Sequence, residues 1–320
     1  MSEPLISVII PCYNCEAFID ETLKSLAMQT FRDFEVICID DGSKDNTASK
    51  LKQWESQNAF CMQIVHQENG GVSRARNKGI QVAKGKYVLF LDADDLYHPT
   101  FIKRLWEAMS QSEADVAYCW FNRNKEILAA DYRERPVVKQ VQQEAMRNLL
   151  YRMAEVGFTC YLYRKDWILR DNLDFDVNTR HFEDREFNWK YLCHCCSAVL
   201  VDAPLYYYRV TAGSATQKRT VNWCTDALDA ALRIEQYLAE KGCSYLDEVK
   251  GYLFPRVMWA TAKDYALSGA RDSYMRLAKQ YDVKACMRRT TKDSNIMVSI
   301  ASWCYLIHPL LFYYIVRLKK

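Results

Sequence analysis

Residues 92–95 read Asp-Ala-Asp-Asp, and these carboxylates directly follow the apolar run Tyr87-Val88-Leu89-Phe90-Leu91. Such a run reads as a buried strand, and packing gives no reason to collect negative charge at its carboxyl end. A bound cation does give one. Mg²⁺ or Mn²⁺ held by one or two carboxylates keeps positions open for water and phosphate oxygens, which is how a protein handles a nucleoside diphosphate. The same residues also suit a strand-to-loop turn with solvated aspartates, Asp95 capping a following helix.

Three other clusters carry chemistry that fits a nucleotide. In Pro11-Cys12-Tyr13-Asn14, Tyr13 has a flat face for stacking on a base and Asn14 has paired donors and acceptors. Asp40 and Asp41 can accept from a base N–H or ribose hydroxyls, and Gly42 permits a turn that brings backbone close to a ligand. Asn69-Gly70-Gly71 leads into a helix carrying Arg74, Arg76 and Lys78, where backbone N–H groups and guanidinium attract phosphate oxygens. Taken singly each has an ordinary alternative: a packed tyrosine, a plain Asp-Asp-Gly-Ser turn, a solvated basic helix face. Neither GxGxxG nor GxxxxGK[ST] occurs here, so the dinucleotide and P-loop readings fall away.

The elements that must position these groups alternate. Apolar runs at 5–10 and 34–39 read as strands, and the segments 16–29, 47–58 and 72–84 read as helices. Strand and helix in alternation predict an α/β fold, a mostly parallel sheet flanked by helices, with ligands outside the carboxyl ends of the strands. The loops Pro11–Cys15, Asp40–Asp45 and Asp92–Asp95 then share one rim.

In order and spacing these segments resemble the family 2 glycosyltransferases, nucleotide-sugar enzymes with the Rossmann-like GT-A fold. The matching residues are Ser7-Val8-Ile9-Ile10-Pro11 with Tyr13-Asn14, Phe34-Glu35-Val36-Ile37 running into Asp40-Asp41-Gly42-Ser43, Asn69 with Gly71 and Ala75-Arg76-Asn77, and Phe90-Leu91-Asp92-Ala93-Asp94-Asp95. The resemblance implies that Tyr13 stacks on the base, commonly uracil, that Pro11 shapes that pocket, and that Asp40 takes the base N–H. Asn14, Asp41, Gly71 and Arg76 fall among the implied nucleotide contacts. Asp92 resembles the ribose-side carboxylate of the DxD motif and Asp94 the direct metal ligand, with Asp95 behind them. The implied cofactor is Mn²⁺ or Mg²⁺, which neutralises the leaving diphosphate.

A transferase of this kind also needs a base for the acceptor hydroxyl. In the family it is usually an aspartate in a Glu-Asp pair near a helix start, and residues 181–189 read His-Phe-Glu-Asp-Arg-Glu-Phe-Asn-Trp. The resemblance makes Asp184 the base and Glu183 a supporting or acceptor-orienting group. From the residues alone, an acidic helix amino terminus has the same appearance. Tyr206-Tyr207-Tyr208-Arg209 followed by Gly213-Ser214 resembles the family's loop over the site, with Arg209 as a diphosphate clamp, although Val210 and Thr211 stand where a histidine often follows. The implied reaction is a single inverting displacement on a UDP-sugar in cell-surface polysaccharide or glycan assembly. QxxRW is absent, which points to one sugar per acceptor. A nucleotidyltransferase would place its glycine-rich loop straight after the first strand, where Pro11-Cys12-Tyr13-Asn14 stands; an inactive binding protein would not need Asp92, Asp94 and Asp184.

Composition fits a cytoplasmic enzyme. The 320 residues, 50% hydrophobic, can bury a full domain and a helical appendage, and a net charge of +3 gives no case for nucleic acid. Met1–Pro4 leads straight into the first strand without a signal peptide. The 13 cysteines, including Cys12-Tyr-Asn-Cys15 and Cys193-His-Cys195-Cys196, lack the paired-knuckle spacing of a zinc site and read as reduced, mostly buried thiols. The expected organisation is a GT-A catalytic domain over 1–220, with a donor half at 1–95 and an acceptor half at 96–220, then a helical appendage at 221–293.

Residues 294–320 differ again. No Asp, Glu, Lys or Arg occurs from Ser294 to Val316, while Lys284, Arg288, Arg289 and Lys292 precede this stretch and Arg317, Lys319 and Lys320 follow it. A membrane span needs about 20 apolar residues, but Ser299, Ser302, His308 and Pro309 weaken a span and Pro309 breaks the helix in two. The basic flanks, with Trp303, Tyr305, Tyr313 and Tyr314, point to a segment lying in the membrane interface, and the same residues also suit a helix packed on the catalytic domain or in a dimer contact. The expectation is a peripheral protein on the inner face of the membrane, acting on a carbohydrate acceptor that is lipid-linked.

Overall fold

A computed structural model describes residues 3–151, 155–210, 221–293 and 295–318, with the side chains of 221–224 left aside. The three apolar runs are adjacent parallel strands, β1 (Ile6–Cys12), β2 (Phe34–Asp40) and, after β3 (Cys61–His66), β4 (Tyr87–Phe90). β1, β2 and β4 are buried almost throughout because helices α1 (Ile19–Ala27), α2 (Thr47–Ser56) and α3 (Val72–Val82) connect and cover them. α1 buries Ile19, Leu23 and Leu26 at helical spacing. α3 comes close enough to β1 that a Cβ on Gly79 would lie 2.3 Å from Ile9 Cγ2, which reserves that position for glycine.

The chain divides into two units, Met1–Thr211 and Ala212–Lys320. In the first, the sheet runs β3-β2-β1-β4 wholly parallel, then continues through β8 (Tyr161–Arg164), β6 (Val116–Asn122), β9 (Ser197–Tyr207) and β5 (Leu96–Tyr97), while β7 (Val137–Val141) pairs with β9. β8 joins the halves by lying antiparallel to both β4 and β6, so the sheet is mixed beyond its parallel half. Helices α4 (Phe101–Ser112), α5 (Gln142–Tyr151), α6 (Lys165–Arg170) and α7 (Glu183–His194) complete this unit. The α/β architecture with helices on the sheet is the one expected, and the register sets Cys12 opposite Asp40 and Asp40 opposite His66, bringing the first two polar loops to a common edge.

The second unit is helical: α8 (Val221–Glu240), α9 (Leu246–Ser268), α10 (Arg271–Gln280), α11 (Val283–Thr290), α12 (Ile296–Ile307) and α13 (Pro309–Arg317). α12 stops where Pro309 begins α13, a favoured place for proline, with His308 Nδ1 accepting the Leu310 N–H at 3.2 Å. Among the described residues no helix is long and apolar enough to cross a membrane. The expected boundary after 220, the Gly213-Ser214 loop and Thr211 lie outside the described residues, as do Ser294, Lys319 and Lys320.

Candidate active site

The first two rim loops are laced together by short polar side chains. Asn14 takes a left-handed backbone, φ 47°, in which its N–H donates to Ser43 Oγ at 3.1 Å and its Oδ1 accepts the Lys44 N–H at 2.8 Å. Asparagine tolerates that conformation better than most residues. Asn14 therefore holds the turn that leaves Tyr13 49% exposed, while Pro11 is half-buried. Asp40, buried at the end of β2, accepts the Ser43 N–H at 3.0 Å and meets His66 Nδ1 at 2.9 Å.

Asp41 is turned inward. Its carboxylate accepts Gln67 Nε2 at 2.7 Å and the N–H groups of Gly70 and Gly71, each at 2.8 Å. Gly71 has φ 86° and precedes α3 without a side-chain cap, so Asp41 fixes the glycine turn that starts this helix. Both N–H groups that the sequence offers to phosphate are donated to Asp41.

One helical turn into α3, Arg76 is buried against the rings of Phe158 and Phe175, its Cζ 4.3 and 5.3 Å from their centroids. Nη2 donates to Asp92 Oδ1 and Nη1 to Glu183 Oε1, both at 2.9 Å. One guanidinium thus joins the acidic end of β4 to the first residue of α7, 91 positions later in the chain. Burial works against its charge, but Asp92, Glu183 and Asp184 outweigh it and hold Arg76 above its ordinary pKa. Asn77 anchors the Phe175 segment, donating to Phe175 O at 2.8 Å and accepting its N–H at 2.9 Å.

Phe182 precedes α7 with φ 74°, uncommon for a bulky residue, and this bend sets the direction of Glu183 and Asp184. Glu183 is buried, and burial and then Asp184 push its carboxyl up against the pull of Arg76. Asp184 is half-buried and accepts the Arg185 N–H at 2.7 Å. The Arg185 guanidinium lies 5.3 Å from the Phe182 ring, and among the described residues it has no hydrogen bond or ion pair.

At the end of β4, Asp95 is a structural tie: it accepts Tyr206 Oη at 2.6 Å and the Arg209 N–H at 2.7 Å. Arg209 also donates Nε to the Asp94 carbonyl at 2.6 Å and pairs with Glu21, so its guanidinium is already engaged on the rim. Asp94 keeps its carboxylate free of hydrogen-bond donors from other described residues. Burial and Asp92 push it up to about 6, with Arg209 opposing.

Among the described residues no cluster of three or more His, Cys, Asp or Glu is arranged to hold a metal. The donor set nevertheless fits one cation of the Mg²⁺ or Mn²⁺ kind, because Asp94 is crowded by negative charge without a proton donor and Asp92 is 31% exposed beside it. Two carboxylates suffice when phosphate oxygens supply the rest. Cys12 and Cys15 are buried on either side of Tyr13, and burial pushes the Cys195 thiol up, consistent with inert thiols. A cavity of about 330 Å³ lined by Asp20, Glu21, Lys24, Gln53, Trp54 and Gln57 has none of the expected site residues in its wall.

The structure therefore brings Arg76, Asp92 and Glu183 together and gathers Tyr13, Asn14 and Asp40 along a neighbouring stretch of rim. Sequence reading missed Gln67, Phe158, Phe175 and Arg185, and it named Tyr206 only as part of a loop, not as the partner of Asp95. Each acts through a partner distant in the chain or through a bend, and no local pattern announces it.

The sequence model described as Glycosyl transferase family 2 matches residues 7–170. The chain belongs to that family. The family 2 chain is 34% identical over 226 residues to the uncharacterized glycosyltransferase EpsJ of Bacillus subtilis, a match covering 67% of this chain and 63% of EpsJ. Among solved structures, the 1–349 portion of S. aureus TarS in complex with UDP-GlcNAc superposes with TM-score 0.64 at 18% identity, over 96% of this chain and 91% of that one. The mannosyltransferase PcManGT from Pyrobaculum calidifontis, in complex with GDP-Man and Mn²⁺, gives 0.56 at 16% identity, over 97% and 88%. At these identities the superpositions speak for the GT-A fold, which the family 2 chain shares.

Proposed function

We propose that this chain moves one sugar from a UDP-sugar to a hydroxyl of a carbohydrate acceptor, with inversion at the anomeric carbon. The observation that carries this reading is the Arg76 bridge, which ties Asp92 of the donor rim to Glu183 of the Glu-Asp pair. Asp184 accepts the acceptor hydroxyl's proton; the oxygen bonds to the anomeric carbon as the bond to the diphosphate breaks and its electron pair leaves on the diphosphate. Glu183, held by Arg76, is a positioning residue for Asp184. Asp92 and Asp94 hold Mn²⁺ or Mg²⁺, which when bound neutralises charge on the leaving group. Tyr13 stacks on the base, Pro11 and Asn14 shape its pocket, and Asp40 accepts a base N–H. Asp41 and Gly71 act through the shape of the glycine turn, Arg76 through Asp92, and Arg209 at the diphosphate end of the rim.

The TarS complex with UDP-GlcNAc and the PcManGT complex with GDP-Man and Mn²⁺ support a nucleotide-sugar donor and a divalent cation. The acceptor is read as a lipid-linked glycan of cell-surface assembly, presented at the cytoplasmic face of a membrane. The test is a panel of UDP-sugars with Mn²⁺, Mg²⁺ or chelator. UDP and free sugar released in a metal-dependent way support the reading; pyrophosphate release marks a nucleotidyltransferase, and donor binding without turnover marks an inactive binding protein.

A further inference from the structure

Helices α12 and α13 are fastened to the second unit by one side only. Val298, Ala301, Ser302 and Tyr305 of α12 and Phe312 and Tyr313 of α13 are buried. Ser302 Oγ and Thr290 Oγ1 lie 2.8 Å apart, Tyr274 Oη donates to Pro309 O at 2.6 Å, and Arg317 Nη1 donates to Ala266 O at 2.9 Å. These bonds fix which faces point outward.

The outward side chains of both helices are mainly apolar, with His308 exposed at the break between them. Ile296, Ile300, Trp303, Ile307, Leu311, Tyr314 and Leu318 recur every three or four residues through both helices, and their exposures run from 37% to 84%. A single exposed leucine needs no explanation, whereas seven large apolar side chains exposed on two consecutive helices mark an interaction surface. Charge singles out one partner. Residues 271–320 hold ten Lys and Arg against three Asp, a net +7, although the whole chain carries only +3. Lys284, Arg288 and Lys292, all exposed, lie just before the stripe, and Arg317 stands near its far end. A second copy of the chain would bring the same positive charge to the contact, while an anionic lipid surface complements it.

We propose that α12 and α13 lie flat in the interface of an anionic membrane, with the stripe inserted among the acyl chains and the basic residues on the headgroups. The helices have 12 and 9 residues, about 18 and 14 Å at 1.5 Å per residue, against a hydrocarbon core of about 30 Å, so each is suited to lie along the surface. The inference deepens the reading of a membrane-presented acceptor. Lipid binding is measured without any transfer reaction, so the two readings fail separately.

The experiment floats the full chain with vesicles of phosphatidylcholine alone or mixed with phosphatidylglycerol, at low and high salt. Binding is expected only to the anionic vesicles and should weaken as salt shortens the screening length. Lys284→Gln, Arg288→Gln and Lys292→Gln together should weaken partition by roughly 100-fold, about fivefold per charge. Trp303→Ser, Ile307→Ser and Leu311→Ser together should abolish flotation at every salt concentration, with the melting temperature and donor hydrolysis unchanged because all three side chains are exposed. If the full chain stays unbound on anionic vesicles, or the apolar triple variant still floats, the proposal is wrong. A dimer in sedimentation that the same triple variant dissolves would instead assign the stripe to a second copy.

Discussion

Replacing Arg76 by Met should reveal how much of the first unit rests on one guanidinium. Methionine fills similar space between Phe158 and Phe175 but leaves Asp92 and Glu183 without their cation. Removing one member of a buried pair costs about 3–5 kcal/mol. Asp92 is 31% exposed and can recover solvent, so most of the loss falls on Glu183. That residue can limit the damage by protonating, and protonating a carboxyl of ordinary pKa at pH 7 costs about 3.7 kcal/mol, against about 1 kcal/mol at pH 5. Glu183 already lies above its ordinary pKa and would rise further without Arg76. A carboxyl raised in the folded state contributes stability that is fully present below its unfolded pKa and is lost as pH rises through the folded one. The Arg76→Met deficit should therefore be large at pH 7, about 10 °C in melting temperature for a unit of this size, and shrink to a few degrees at pH 5. Adding Glu183→Gln should restore much of the pH 7 loss. Scanning calorimetry of the full chain across this pH range is the assay. A deficit equal at pH 5 and pH 7, or one that Glu183→Gln deepens, would refute the reasoning.

Three further outcomes concern the same site. Asp94→Asn should abolish metal-dependent UDP binding by calorimetry while leaving the melting temperature in place, since no described donor depends on that carboxylate; retained metal-dependent affinity would remove Asp94 from the metal. Asp184→Asn should lower turnover roughly 10²- to 10⁴-fold with donor affinity little changed, and near-normal transfer would move the base to another group. Asp41→Ala strands the Gln67, Gly70 and Gly71 donors; it should cost about 1–3 kcal/mol of stability per group left unpaired and weaken donor binding more than it slows turnover. An unchanged donor affinity would show that the glycine turn holds its shape without Asp41.

The polar rim of the parallel half was legible because it is local. Each buried strand of the parallel half announces itself by an apolar run, its polar residues follow immediately, and parallel pairing puts those ends side by side. β3 went unread because Cys61–His66 is only partly buried, without the unbroken apolar run of its neighbours. The second half of the sheet was harder still: β8 is four residues long and reverses direction between β4 and β6, which no periodicity encodes. At the site itself, Arg76 reads in sequence as one cation among three on a basic helix. Its burial and both its partners depend on segments that meet only in three dimensions. Asp41 shows the same limit, since Asp-Asp-Gly-Ser does not say which aspartate turns outward.

The bridge from α3 to the Glu-Asp pair also constrains how such proteins can be recombined. Designers who exchange acceptor specificities would cut after Asp92-Ala93-Asp94-Asp95 and join the parallel half of one family member to the remainder of another. Here that cut passes between Arg76 and Glu183, and between Asp95 and both Tyr206 and Arg209. A chimera would inherit a buried cation from one parent and must find its matching carboxylate in the other. Residues 76, 95, 183 and 206 therefore form a compatibility code for hybrid enzymes, to be matched before any contact with sugar is redesigned.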